Sequence, residues 1–200
     1  MEDRVITNDA QNSALNETVQ DFALRMRGHV RILVEDEVKG SYTHFDDHNI
    51  IVNGAKTVMA AMIAKGDSSY KISGLELGDG HVSGDILNPS APSASDTGLG
   101  HQVPQPGAGG TTISYTWIAV GDNYYPKSLV PGVTTAKFTF VLAKTAGNGT
   151  GTGTVAYTEA GLWAVAAPGE SGATLFALET FPALIKNSSR QITFEWSIIF

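Results

Sequence analysis

Residues Tyr157–Phe200 read YTEAGLWAVAAPGESGATLFALETFPALIKNSSRQITFEWSIIF, and this stretch decides the fold. Its final run places Ile192, Phe194, Trp196, Ile198 and Phe200 on one face. Gln191, Thr193, Glu195 and Ser197 fall on the other, the period of two that marks a half-buried strand. Thr174–Phe181 and Thr158–Val165 read as two more strands. Pro168-Gly169 with Gly172, and then Asn187-Ser188-Ser189, supply the turns between them. Strands this close in sequence predict a three-stranded meander. Phe200 is still in pattern, so the run is expected to end in the core.

Working outward, Lys137–Lys144 alternates with Phe138, Phe140 and Leu142 inward. Thr111–Val120 alternates with Ile113, Tyr115, Trp117 and Ala119 inward. Between Lys144 and Val155, AGNGTGTGT reads as a hairpin tip. His81–Gly110 holds Pro89, Pro92, Pro104 and Pro106 among many small residues. It predicts an exposed excursion that contacts a neighbouring subunit, with Ile86, Leu87, Leu99 and Val103 as its only apolar anchors.

Ile72–Gly78 is a strand running into Gly78-Asp79-Gly80. Gly54–Lys65, with Ala55, Val58, Met59, Met62 and Ile63 on one face, is the best helix, Asn53 standing as N-cap and Gly66 as its stop. His29–Val34 and Val38–Phe45 form a hairpin whose turn lies at Glu35–Glu37 or at Lys39-Gly40. The whole is mainly β: a sandwich or distorted barrel of about seven to nine strands with one packed helix and an N-terminal helical arm.

That arm, residues 1–27, precedes a single β-rich domain over 28–200. Leu15, Val19, Phe22 and Met26 recur at helical spacing, but their stripe is narrower than the roughly 100° face of a helix packed on its own core. The four are therefore expected at a subunit interface, with packing on the chain's own sheet as the alternative.

Composition narrows the function. A net charge of −7 without a Lys/Arg cluster argues against a nucleic-acid partner. The absence of cysteine removes disulfides, thiolate metal sites and a cysteine nucleophile. The N-terminus is polar and acidic rather than signal-like. No apolar run approaches the roughly 18 residues that span a bilayer, so no membrane partner is expected.

The order of signals carries a resemblance. NIIVNGAKTVMAAMIA leads to ISGLELGDG, then PSAPSASDTGLG, then TEAGLW, then GATLFALETFPALIK and the terminal strand. This order resembles the N-terminal attachment domain of tail-collar fibre proteins of contractile-tailed bacteriophages. It is also similar to a wider group of small phage structural proteins that share the HN-apolar-apolar-x-N and EAGL-aromatic segments. The likeness spans residues 28–200.

It implies a non-enzymatic virion structural protein of the tail, neck or baseplate. Its partners would be other copies of itself and other phage structural proteins. In the fibre proteins the domain opens a long chain with a shaft and a receptor-binding tip, whereas this sequence stops at Phe200. That difference favours a compact fibre-attachment, collar, baseplate or adaptor subunit. A capsid decoration protein, or a module binding a host-surface glycan, is the alternative.

Candidate chemistry is sparse. His44-Phe45-Asp46-Asp47-His48 has metal-ligand types, but it lies at a strand end where the i, i+4 spacing has no fixed geometry. No metal or other cofactor is expected there. Gly78-Asp79-Gly80 lacks the Gly-Lys-Ser/Thr of a phosphate loop, and no G-x-S-x-G turn is present. Glu76 stands within a strand, where a wet face or an ion pair is expected. Glu159 shares a face with Tyr157 and Trp163, which predicts a buried ion pair or a backbone-capping role. Trp117 reads as core. Tyr124 and Tyr125, in GDNYYPK, are the candidate ligand or partner loop, since aromatic rings stack on sugars and also serve protein interfaces.

Overall fold

The computed structural model describes residues 26–65, 69–80, 87–106, 112–113, 116–120, 134–149 and 153–200. Two antiparallel sheets face each other across one apolar core, a sandwich rather than a closed barrel. In the first sheet, β1 (Arg27–Asp36) pairs with β2 (Gly40–Asp47) on one side and with the C-terminal strand (Arg190–Ile199) on the other. The strand over Thr135–Leu142 closes the far edge. One face of each inner strand is driven inward by alternation: Val30, Ile32 and Val34 meet Ile192, Phe194 and Trp196, all fully buried.

The second sheet starts at β3 (Ile50–Ile51), before helix α1 (Asn53–Lys65). It is built further from β4 (Ile72–Gly78) and β7 (Thr116–Ala119). A small ladder of β5 (Gln105–Pro106) and β6 (Thr112–Ile113) lies apart. With β8 as Thr135–Leu142, β9 as Thr154–Ala164, β10 as Thr174–Asn187 and β11 as Arg190–Ile199, the two sheet orders are β2-β1-β11-β8 and β3-β10-β9-β4-β7. Every residue of β9 from Tyr157 to Ala164 is buried, so β9 is covered on both faces.

Asn49 is the point at which the chain changes sheets. Its N–H donates to Gly28 O of β1 at 3.1 Å, and the next two residues pair with β10. A Cβ on Gly28 would overlap the Asn49 carboxamide, so glycine there lets the crossover lie tight against β1. Val52 then donates to Phe176 O, and Asn53 N–H donates to Ala94 O as the helix opens. The HNIIVN segment is thus a sheet crossover and a helix start.

Several expectations are corrected. The predicted meander is broken, because β10 pairs with β9 but β11 crosses to the first sheet between β1 and β8. Physically, β11 carries a one-faced pattern and suits a sheet with a wet side, while β9 and β10 are mostly apolar on both faces. Phe200 is 44% exposed instead of ending in the core.

On α1, Ala55 and Val58 are buried, but Met62 and Ile63 are 43% and 76% exposed. In β7 the phase is reversed from the reading. Thr116 and Ile118 face the core between the sheets, Trp117 packs half-buried on the outer face, and Ala119 is exposed. The β1–β2 turn lies at residues 37–39, where Asp36 Oδ1 accepts from Val38 and Lys39 N–H and Gly40 takes φ 77°. Finally, Leu15, Val19 and Phe22 lie outside the described residues. Met26 packs on the main core and Arg27 already belongs to β1, so the last two residues assigned to the arm are part of the sandwich.

Candidate functional site: a carboxylate knot on the outer sheet face

Glu159 stands on β9 with its side chain on the outer face of the second sheet. It is fully buried beneath the segment 87–106. Its Oε1 accepts from Gly80 N–H and from His101 N–H, both at 2.9 Å, and its Oε2 accepts from Gly100 N–H at 2.9 Å. Three converging backbone donors form a cradle of the kind that binds an anion, and here the chain supplies its own.

The neighbouring Thr158 hydroxyl donates to Gly80 O at 2.8 Å, and Asp79 N–H donates to His101 O. Gly78 bridges to Gln102, and the His101 ring is hydrogen-bonded to the Asp79 carboxylate at the surface. Glycine is required on this path: a Cβ on Gly78 or Gly80 would run into the backbone of Gly100–His101. Gly161 likewise makes room for Leu99 and Leu175, which join Trp163 and Leu178 in a second apolar cluster.

Three stretches quoted above for their resemblance therefore meet at one carboxylate. They are the GDG end of β4, the TGLG of the excursion and the EAGLW of β9. Glu159 takes the backbone-capping role of the two alternatives. The described part of the excursion, expected to be exposed and to contact a neighbouring subunit, is stitched to its own helix through Ala94 and to its own sheet through Leu99, Gly100, His101, Gln102 and the buried Val103; Leu87 remains 68% exposed.

Glu76, directly across from Gly161, overturns the expectation of a wet face or an ion pair. It is wholly buried, and its Oε1 accepts from Gln102 Nε2 at 2.7 Å. Desolvation pushes its carboxyl up to about 7; the Gln102 amide and the Trp163 indole pull the other way, and the Glu159 charge adds to the rise. Glu76 Oε2 and the indole Nε1 of Trp163 nevertheless make no hydrogen bond of acceptable geometry. A protonated Glu76 carries one fewer charge into this dry layer.

Two other buried ionisable groups escaped the sequence reading. Glu179 on β10 is also raised to about 7, chiefly by burial, and only its Oε1 is engaged, by Thr180 N–H. Lys186 is fully buried, with Nζ donating to Asn148 Oδ1 at 2.6 Å and to the carbonyls of Asn187 and Lys144. Burial lowers its ammonium to about 8. It ties the loop after β8 to the end of β10, with Tyr157 OH donating to Gly147 O beside it. The alternation of Leu184 and Lys186 on one face was the available signal.

The His44–His48 run does not converge. His44 Nε2 lies 2.8 Å from Pro182 O, whereas His48 is exposed and meets the edge of the His29 ring at 5.6 Å. Asp46 turns to His29. Among the described residues no three His, Asp or Glu side chains come together in a metal-holding group. Tyr124 and Tyr125 lie outside the described residues. No described helix is long and apolar enough to cross a membrane. No family model, curated protein or solved structure matches this chain.

Proposed function

We propose that this protein is a non-enzymatic structural subunit of a bacteriophage virion, in the tail, neck or baseplate, acting through contacts with copies of itself and with other phage structural proteins. One observation carries the reading. Three of the segments whose order resembles the tail-collar attachment domain converge on Glu159, and their key residues serve the framework. Asn49 carries the chain between sheets, Gly78 and Gly80 admit a neighbouring backbone, and Gly161 admits Leu99. Glu159 is engaged on both oxygens by backbone donors beneath the excursion. An order of segments that builds a framework suits a protein whose product is a shape.

The test is compositional. Particles purified from a phage encoding this chain should contain it at a fixed ratio to the other tail proteins. Antibody against it should label one end or the collar in negative stain. Its absence from purified particles, despite synthesis during infection, would remove the proposal. Retention of labelled glycan by the isolated protein, abolished by changing Tyr124 and Tyr125 to alanine, would move it to the receptor-binding alternative.

A further inference from the structure

At one end of the sandwich the connection from β8 to β9 folds back over the last residues of β10, just before the chain returns to the first sheet. Lys186 lies at this junction. Its side chain is fully buried, yet among the described residues no carboxylate is its partner. Nζ donates only to neutral oxygens: Asn148 Oδ1 at 2.6 Å, the Asn187 carbonyl at 2.8 Å and the Lys144 carbonyl at 3.2 Å. A buried ammonium without a counter-ion is costly. Burial lowers this one to about 8, which brings the neutral, nucleophilic amine within reach.

The Asn148 carboxamide is the electrophile that this amine faces. Gly147 and Gly149, at φ 65° and 72°, flank it and give the loop the left-handed turns that fold it over β10. Asn148 Nδ2 donates to the Lys144 carbonyl at 2.8 Å, the same oxygen that Lys186 Nζ reaches. The amide is thereby held with its own carbonyl toward the amine. Cγ is bonded to Oδ1 at about 1.2 Å, so it lies no more than about 3.8 Å from Nζ. A near-attack arrangement has its reacting atoms roughly 3–3.5 Å apart, a small side-chain rotation away.

We propose that Lys186 and Asn148 close an intramolecular isopeptide bond, an amide between Nζ and Cγ that the chain forms by itself. The neutral amine attacks Cγ, the Nζ–Cγ bond forms and the Cγ–Nδ2 bond breaks. Nδ2 leaves as ammonia, taking up the proton that Nζ gives up. Counted from the charged lysine, one ammonium group and one primary amide give one secondary amide and one ammonium ion, and no other reactant is consumed. A buried cation is exchanged for a neutral amide while the charge passes to water. Fixing the two groups against each other supplies the proximity that aminolysis between free molecules lacks. The chain has no cysteine for a disulfide, and this bond takes that place: it closes a ring of about 40 residues through β9 and β10 and restricts the unfolded chain. The inference is independent of where the protein works.

The test is a peptide mass. Purified full-length protein is incubated at about pH 8, where the amine is partly neutral, then denatured and digested with trypsin. Trypsin cuts after Lys144, Lys186 and Arg190, but not after an acylated lysine. The expected product is a single fragment 145–190, lighter than its sequence by about 17 Da, with Asn148 and Lys186 joined on fragmentation. Lys186→Met, which keeps an apolar stem in the buried site, should give the same fragment at its full sequence mass. Release of 145–186 at its sequence mass, with no linked fragment, would overturn the proposal. A fragment cut after Lys186 and still lighter by about 17 Da would be the succinimide of Asn148-Gly149, and one heavier by about 1 Da its deamidated product. Either of these without the linked fragment would overturn it as well.

Discussion

At the residue scale, Glu159 and Glu76 are neighbours on one sheet face with opposite demands. Glu159 must be an acceptor on both oxygens. Glu159→Gln puts an amide NH₂ in a cradle made of N–H donors, and Glu159→Ala leaves three donors without their acceptor. Charge-assisted hydrogen bonds contribute about 1.5–3 kcal/mol each, and a partly broken set costs more than its mean. We expect a loss of roughly 2–4 kcal/mol in denaturant unfolding for the glutamine change, with new protease cleavage within 87–106. Unaltered stability would show that the cradle is not closed on Glu159.

Glu76 and Glu179 behave oppositely. Each folded-state carboxyl is raised to about 7 against an ordinary 4.5, so the folded protein holds more protons than the unfolded between those values. Their contribution is complete below about pH 4.5 and is lost as pH rises through 7. Asp36 has the reverse sign. Donors from Val38 N–H, the Arg190 guanidinium and Lys39 N–H hold it at about 2, so its contribution disappears only as pH falls below about 3.8. Stability should therefore peak near pH 4–5 and decline toward neutrality. Glu76→Gln should flatten that decline and raise the melting temperature at pH 8, whereas a flat wild-type profile between pH 5 and 7 would refute the assignment. That Glu159 is buried was readable from its strand position, with an ion pair and a backbone cap both left open. Its partners were not, because Gly80, Gly100 and His101 contribute main-chain N–H groups that leave no mark on side-chain pattern.

At the element scale, alternation located most strands and failed on partnership. The Ile192–Ile198 series stated which residues face inward, but nothing in a period of two tells a strand which sheet to join. Neighbouring turns suggested a meander, and the two-faced burial of β9 and β10 sent β11 elsewhere. Trp117 shows the same limit: both faces of β7 are partly covered, so the apolar residue did not mark the core side. Helix α1 was legible in extent, yet its first turn hides a constraint. Gly54 lies so close to β10 that a Cβ would meet the Leu175 carbonyl oxygen and the Thr174 methyl. An alanine for glycine exchange in a helix ordinarily stabilises by about 1 kcal/mol. Here a backbone atom cannot move aside without shifting a strand, so Gly54→Ala should destabilise by about 1–3 kcal/mol. The sign of the change in urea midpoint decides the matter, and a stabilised variant would mean that α1 sits further from β10.

At the scale of the whole molecule, every described strand and the described helix lie from Arg27 onward, and the described core is built from them together with Met26. Removing residues 1–25, and keeping Met26 because it packs on that core, should leave a protein that unfolds in one cooperative transition. Val30, Ile32 and Val34 are wholly buried against Trp196, Phe194 and Ile192, so β1 is anchored along its whole inward face and the urea midpoint should fall little. An unchanged denaturant slope would show that the same surface is buried on folding, and therefore that the sandwich from Met26 onward is a complete cooperative unit. A deletion that unfolds the protein outright would show that the two sheets cannot hold together without the first 25 residues.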